Sequence, residues 1–145
     1  PNLDQNSLNA LDSLTSTGLT KFNAKYGGGV PSACGEGAYS VNYVKNNVTY
    51  PVKYYSWGGV SQTTNILDPL DAGIQLLSAA FLFSGDKNDG LVSECSQRLG
   101  KVIRSNYWNN HLDAVNGFFG ITNLLEVNPK SIYRTHANRL QTAGL

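Results

Sequence analysis

Between residues 88 and 120 the chain reads NDGLVSECSQRLGKVIRSNYWNNHLDAVNGFFG, and four side chains there can do chemistry. Asp89 lies in an Asn-Asp-Gly turn and Cys95 follows 6 residues later (95 − 89). His111, in an Asn-Asn-His-Leu-Asp run, comes 16 residues after Cys95 (111 − 95), and Asp113 comes 2 after that (113 − 111). Ester hydrolysis needs a base that takes a proton from a nucleophile and returns it to the leaving alcohol. It also needs a carboxylate that orients the base and stabilises its charged form. A carboxylate followed by a histidine is the order in which one class of serine-hydrolase triad ends. Of the 2 histidines, His136 falls mid-helix on an apolar face and reads as structural. His111 falls in a polar loop and is either that base or an ordinary surface histidine. Asp86 competes with Asp89 for the carboxylate role, and Asn-Asp-Gly is also simply a good turn. A thiol nucleophile, Cys34 or Cys95 with His111, is a further possibility that requires a free cysteine.

Helices, strands and turns must position these groups. Residues 4–15 carry Leu8, Leu11 and Leu14 at helical spacing, with Asp4 or Asn6 available as the cap. A second helix fits 17–26, with Leu19, Phe22 and Tyr26 on one face, Thr17 before it, and Gly27-Gly28-Gly29 ending it. Residues 39–45 and 48–57 are rich in Tyr and Val around Asn46-Asn47, which predicts a hairpin closed by Gly58-Gly59. Their aromatic density fits core and edge packing better than base stacking or sugar binding, since no basic stripe or acid pair accompanies it. A helix is predicted within 66–80, with Asp68 as cap, Pro69 first and Asp71 in the first turn. A short apolar run from Phe81 to Phe83 leads into a tight SGDKNDG turn. Residues 91–99 read as a short helix and 101–107 as a strand. The last helix has Asn128 as cap, Pro129 first, Ile132, His136 and Leu140 on one face, and Gly144 as its stop.

The length, 145 residues, suits one domain, and 41% hydrophobic with 14% charged residues describes a folded chain. A net charge of +1 gives no electrostatic case for nucleic acid or an anionic membrane. No apolar run approaches the roughly 18 residues that span a bilayer. Residue 1 is Pro, without an initiator Met or signal peptide, and reads as a processed or cleaved end. The 2 cysteines allow one bridge or two reduced, buried thiols.

The stretch NDGLV, with Cys at +6, and the NHLD run resemble the C-terminal end of the secreted, foldase-dependent bacterial lipases of family I, the Pseudomonas type. The resemblance implies an α/β-hydrolase fold, of which this chain would be the C-terminal portion: the last strands, the post-lid helices, and the Asp and His triad loops. It implies that Asp89 and His111 are triad members, and it selects Asp89 over Asp86. It implies a Cys34–Cys95 disulfide, and with it an oxidising periplasm on the way to secretion. It further implies one structural Ca²⁺, held by the Asp68 and Asp113 carboxylates and the main-chain carbonyls of Gly117 and Ile121. The family has Gln where this chain has Gly117, which bears on the loop's rigidity, since any residue supplies a carbonyl. Members also carry a non-proline cis peptide here, placed by counting at Gly117–Phe118. The link VKNNVTYP is longer than the family's and reads as a surface insertion.

No Gly-x-Ser-x-Gly occurs in the 145 residues, so no nucleophile elbow lies within them. By resemblance, residues 1–145 are part of a single α/β-hydrolase domain whose nucleophile half and lid lie upstream. The expected partners are that N-terminal half, a lipase-specific foldase during maturation, and a lipid ester at an oil–water interface. The competing reading is a free-standing, calcium-stabilised domain without activity.

Overall fold

The computed structural model describes residues 15–82, 85–117 and 119–145. The helix expected over 4–15, Phe83 of the apolar run, and the Gly117–Phe118 bond lie outside the described residues, except for Thr15 at the helix end.

The first described helix, α1, is Ser16–Tyr26, and its cap is Thr15 rather than Thr17: the Thr15 hydroxyl accepts from the Gly18 N–H at 3.0 Å. Leu19, Phe22 and Tyr26 remain about half exposed. Strands β1 (Ser40–Lys45) and β2 (Val48–Lys53) form the predicted hairpin, in antiparallel register from Ser40↔Lys53 to Lys45↔Val48. Asn46 and Asn47 both take positive φ, 52° and 61°, the tight two-residue turn that matches the twist of a hairpin. The expected second strand, 48–57, is in fact two. Tyr54 intervenes, and Tyr55–Gly59 forms a separate strand, β3, that pairs in parallel with β4 (Lys101–Tyr107). The sequence could not show this, because a run of β-forming residues does not reveal which partner each part takes.

The described residues thus hold two two-stranded sheets, one antiparallel and one parallel, not a continuous parallel sheet. In the hairpin, the Tyr54 N–H donates to the Tyr39 carbonyl, which fixes the alternation of the ladder. By that alternation, position 51 turns its backbone nitrogen outward, and Pro51 offers no N–H there. An open edge is blunted in this way against pairing with other chains.

Helix α2 is Asp71–Ser78, continued by a 3-10 turn at Ala79–Phe81. It starts later than expected. Asp68 does not cap it; its Oδ1 accepts from the Leu70 N–H at 2.9 Å, closing a local turn before the helix. Residues 91–99 contain only a 3-10 turn, Cys95–Gln97, and another 3-10 turn follows His111 at Asp113–Val115. Helix α3, Pro129–Thr142, begins and ends as its sequence predicts. Asn128 accepts from the Lys130 N–H at 2.9 Å. Gly144 has φ 73°, and the Leu145 N–H closes back on the Leu140 carbonyl. His136 on α3 packs edge-on against Tyr55 and Trp57 of β3, 5.1 Å from each ring centre. Burial, then the Arg139 charge, holds its imidazole below the ordinary value, and Arg139 donates to its Nδ1. His136 thus lies mid-helix against aromatic rings, the placement its position in the sequence predicts.

The buried apolar side chains among the described residues are Ile74 on α2 and Pro129 and Ile132 on α3. Alongside Pro129, the most buried side chains are polar: Asn110 is 1% exposed and Asp113 0%. This polar knot underlies the loop that carries His111.

Candidate active site

Asp89 sits in a turn made by residues 88–92 after the α2 segment. No strand immediately precedes it among the described residues. The turn is closed by its own side chains. Asn88 Oδ1 accepts from the Gly90 N–H at 2.9 Å, and Asp89 Oδ1 accepts from the Leu91 and Val92 N–H groups at 3.0 and 2.8 Å. Gly90 is needed here: its φ is 101°, and a Cβ would meet Ile74 Cγ2 at 2.2 Å. With Oδ1 engaged, Oδ2 is left to face His111.

His111 comes from the loop after β4. Gly59, at the end of β3, lets that loop approach, since a Cβ there would sit 2.1 Å from the Asn109 carbonyl oxygen. The Ser61 N–H donates to the same carbonyl at 3.2 Å. On the other side, Glu126 accepts from the Trp108 N–H at 3.0 Å, and Asn123 donates to the Trp108 carbonyl. Glu126 is itself paired with Arg104 at 2.9 Å.

These dockings bring His111 Nδ1 to 2.9 Å from Asp89 Oδ2, and the His111 N–H donates to the Asp89 carbonyl at 2.9 Å. The Asp89 side chain is 7% exposed and that of His111 42%. The two line a cavity of about 360 Å³ together with Trp57, Gly58, Val92, Gln97 and Val115. A buried carboxylate on Nδ1 fixes the tautomer that leaves Nε2 free to accept a proton, and it stabilises the imidazolium that results. Asp89, not Asp86, is the carboxylate that faces His111. Gln62, Gln97 and Asn110, which also build this site, carried no signal in the sequence.

The expected metal residues fall beside the loop. Asp113 Oδ2 accepts from the Asn110 N–H at 3.1 Å, and Asn110 Oδ1 accepts from the Leu112 and Asp113 N–H groups. Asn110 Nδ2 donates to Asp71 Oδ1 at 2.6 Å, and Asp71 Oδ2 takes the Thr64 and Asn65 N–H groups. Three buried oxygens of this region, Asp68 Oδ2, Asp113 Oδ1 and Asn116 Oδ1, have no donor. Burial pushes the Asp113 carboxyl above its usual range. The nearby Thr64 hydroxyl and the Asn110 N–H oppose the rise, and the negative Asp71 and Asp68 add to it. Gly117, at φ 60°, lies against the Ile121 carbonyl, where a Cβ would approach to 1.8 Å. Among the described residues, no three His, Cys, Asp or Glu side chains are grouped to hold a metal. A cation here would therefore draw on carbonyls as well as carboxylates, as hard cations do. The two buried carboxylate oxygens without donors, on Asp68 and Asp113, are of the type such an ion binds.

Cys34 and Cys95 are joined, with Cα atoms 5.0 Å apart, and neither is free. The thiol-nucleophile reading therefore falls.

Comparison with known proteins finds similarity to bacterial lipases. Its homologues, matched over nearly its whole length, are proteins named triacylglycerol lipase. It is 51% identical over 142 residues to that of Vibrio cholerae, covering 97% of this chain and 42% of the relative. It is 38% identical over 152 residues to that of Pseudomonas fragi, covering 100% and 49%. It is 30% identical over 169 residues to that of Burkholderia plantarii, covering 99% and 46%. The chain spans about half the length of the curated relatives it matches, as the C-terminal portion inferred from its motifs would. No protein-family model matches it.

Proposed function

We propose that this chain supplies the carboxylate and the base of a Ser-His-Asp triad that hydrolyses triacylglycerol esters, within an α/β-hydrolase fold completed by further polypeptide. The observation that carries this reading is the 2.9 Å contact of His111 Nδ1 with Asp89 Oδ2 at an open cavity, in a chain related to lipases. His111 Nε2 accepts the proton of a serine hydroxyl as the serine oxygen attacks the ester carbonyl. It then gives that proton to the departing alcohol oxygen. A water repeats the cycle on the acyl-enzyme: His111 takes its proton, the hydroxide attacks, and the serine recovers its hydrogen as the fatty acid leaves. Asp89 accepts the His111 Nδ1–H hydrogen bond and stabilises the imidazolium.

The distribution of apolar surface favours a larger protein over a free-standing domain. Ile66, Leu82, Phe119, Leu124 and Leu125 are each at least 77% exposed, while the buried apolar side chains among the described residues are Ile74, Pro129 and Ile132. Such surface in a finished protein is normally covered. Serine and oxyanion donors on the covering part would complete the site. In this reading a structural Ca²⁺ is held by Asp68, Asp113 and the carbonyls of Gly117 and Ile121. It would fix the loop two residues from His111 and take no part in the chemistry. The disulfide agrees with a secreted protein that passes through an oxidising compartment, where a foldase would act on it.

The test is His111→Ala in the full-length protein, assayed on an emulsified long-chain triacylglycerol. Loss of about three or more orders of magnitude in kcat with the fold retained is expected. Undiminished turnover would remove His111 from the chemistry and the reading with it.

A further inference from the structure

Asp89 and His111 stand on different loops, and both loops are docked on the C-terminal end of β3. The His111 loop is docked through Gly59 and Ser61 against Asn109. The Asp89 turn is docked by two side-chain amides. Gln62 Nε2 donates to the Asn88 carbonyl at 2.6 Å and to Asn88 Oδ1 at 3.2 Å. Gln97 Nε2 donates to the Val92 carbonyl and to the Gly59 carbonyl, each at 3.0 Å. The carbonyls so held are the two ends of the turn, one just before Asp89 and one three residues after it.

We infer that Gln62 and Gln97 are positioning residues, which clamp the Asp89 turn from both sides and aim its Oδ2 at His111. The inference rests on the triad reading of these two residues. An amide NH₂ carries two N–H donors and can tie two carbonyls at once, as Gln97 does; a hydroxyl cannot. Gln97 is seated for this. A Cβ on Gly58 would collide with its Oε1 at 1.9 Å, so β3 leaves room for the amide and for little else. The Val92 carbonyl held by Gln97 also accepts the Asp89 N–H at 3.2 Å, while the Val92 N–H donates to Asp89 Oδ1. Movement of Val92 would therefore pass directly to the carboxylate. Both glutamines hold backbone carbonyls of the turn, and each acts through it.

The experiment uses the full-length protein with Gln97→Met or Gln62→Met, which keep the volume and remove the donors. Steady-state kinetics are normalised by active-site titration. The proton shared by His111 Nδ1 and Asp89 Oδ2 is followed as a far-downfield line in the proton NMR spectrum. The clamp predicts that kcat falls by up to about a hundredfold, the scale on which a small misplacement remote from the chemistry acts. KM stays constant and the downfield line shifts or disappears. A variant that melts earlier but keeps its kcat per active site and its downfield line shows a merely structural brace, and overturns the inference. If Gln97→Met does not fold, Gln62→Met decides the matter by the same two readouts. If the unmutated protein hydrolyses no ester, the functional reading fails by itself, and the NMR line alone then decides whether the amides aim Asp89.

Discussion

Asp113 is fully buried, and one of its carboxylate oxygens has no hydrogen-bond donor. A buried charge without a partner is costly, and a divalent cation is the partner we propose. Chelation of the full-length protein should therefore lower its melting temperature, and Asp113→Ala should lower it and make it insensitive to chelator. Thermal melts with and without added Ca²⁺ check both; a melting temperature that chelator does not move would remove the ion from the account. Glu94 behaves differently. The Ser105 hydroxyl, 2.7 Å away, and Arg98 at 2.8 Å hold its carboxyl below the ordinary range. A folded-state value below the unfolded one stabilises the protein above the unfolded value, and that stability is lost as pH falls through the folded one. Glu94→Gln should then destabilise the protein at neutral pH and cost progressively less in acid. Denaturant melts at pH 7 and below pH 4 measure the difference, and a pH-independent cost would refute the assignment.

At the level of elements, α3 has the most explicit sequence signals: Asn128, Pro129 and Gly144 each do what their types predict. Asn128→Ala should cost about 1 kcal/mol in a denaturant melt. α3 reaches β3 through His136 and Tyr133 against Trp57, and it reaches the His111 loop through the Tyr133 hydroxyl, which donates to the Ala114 carbonyl at 3.2 Å. Asp68 teaches the converse. Its position before Pro69 looks like a helix cap, yet the helix begins at Asp71 and Asp68 closes a turn with one oxygen while the other stays unpartnered. Local sequence offers no way to distinguish a cap from a residue held back for another role.

For the whole molecule, the balance of burial decides. The Cys34–Cys95 bridge closes a separation of 61 residues. On the chain-entropy account this is worth about 4 kcal/mol. Set against this are a parallel pair of strands with open edges and many exposed leucines. The chain of 145 residues expressed by itself should therefore lack a cooperative thermal transition, bind a hydrophobic dye and aggregate. A sharp melt of a monomeric, dye-silent sample would instead support the free-standing reading.

The motif around Asp89 and His111, the boundaries of α3, the Asn46-Asn47 hairpin and the β4 segment were legible in the sequence because each is set by near neighbours: caps, turns and alternation. The pairing of Asp89 with His111 was available only through a resemblance, because their separation in sequence says nothing about distance in space. The tertiary structure alone split Tyr54 and Tyr55 between two sheets, moved the start of α2, and gathered Asp68, Asp71, Asn110 and Asp113 into one polar knot. It alone placed Gln62 and Gln97 at the two ends of the Asp89 turn. Those outcomes depend on contacts between residues far apart in the chain, where the competition for each donor and acceptor is settled by packing and not by local preference.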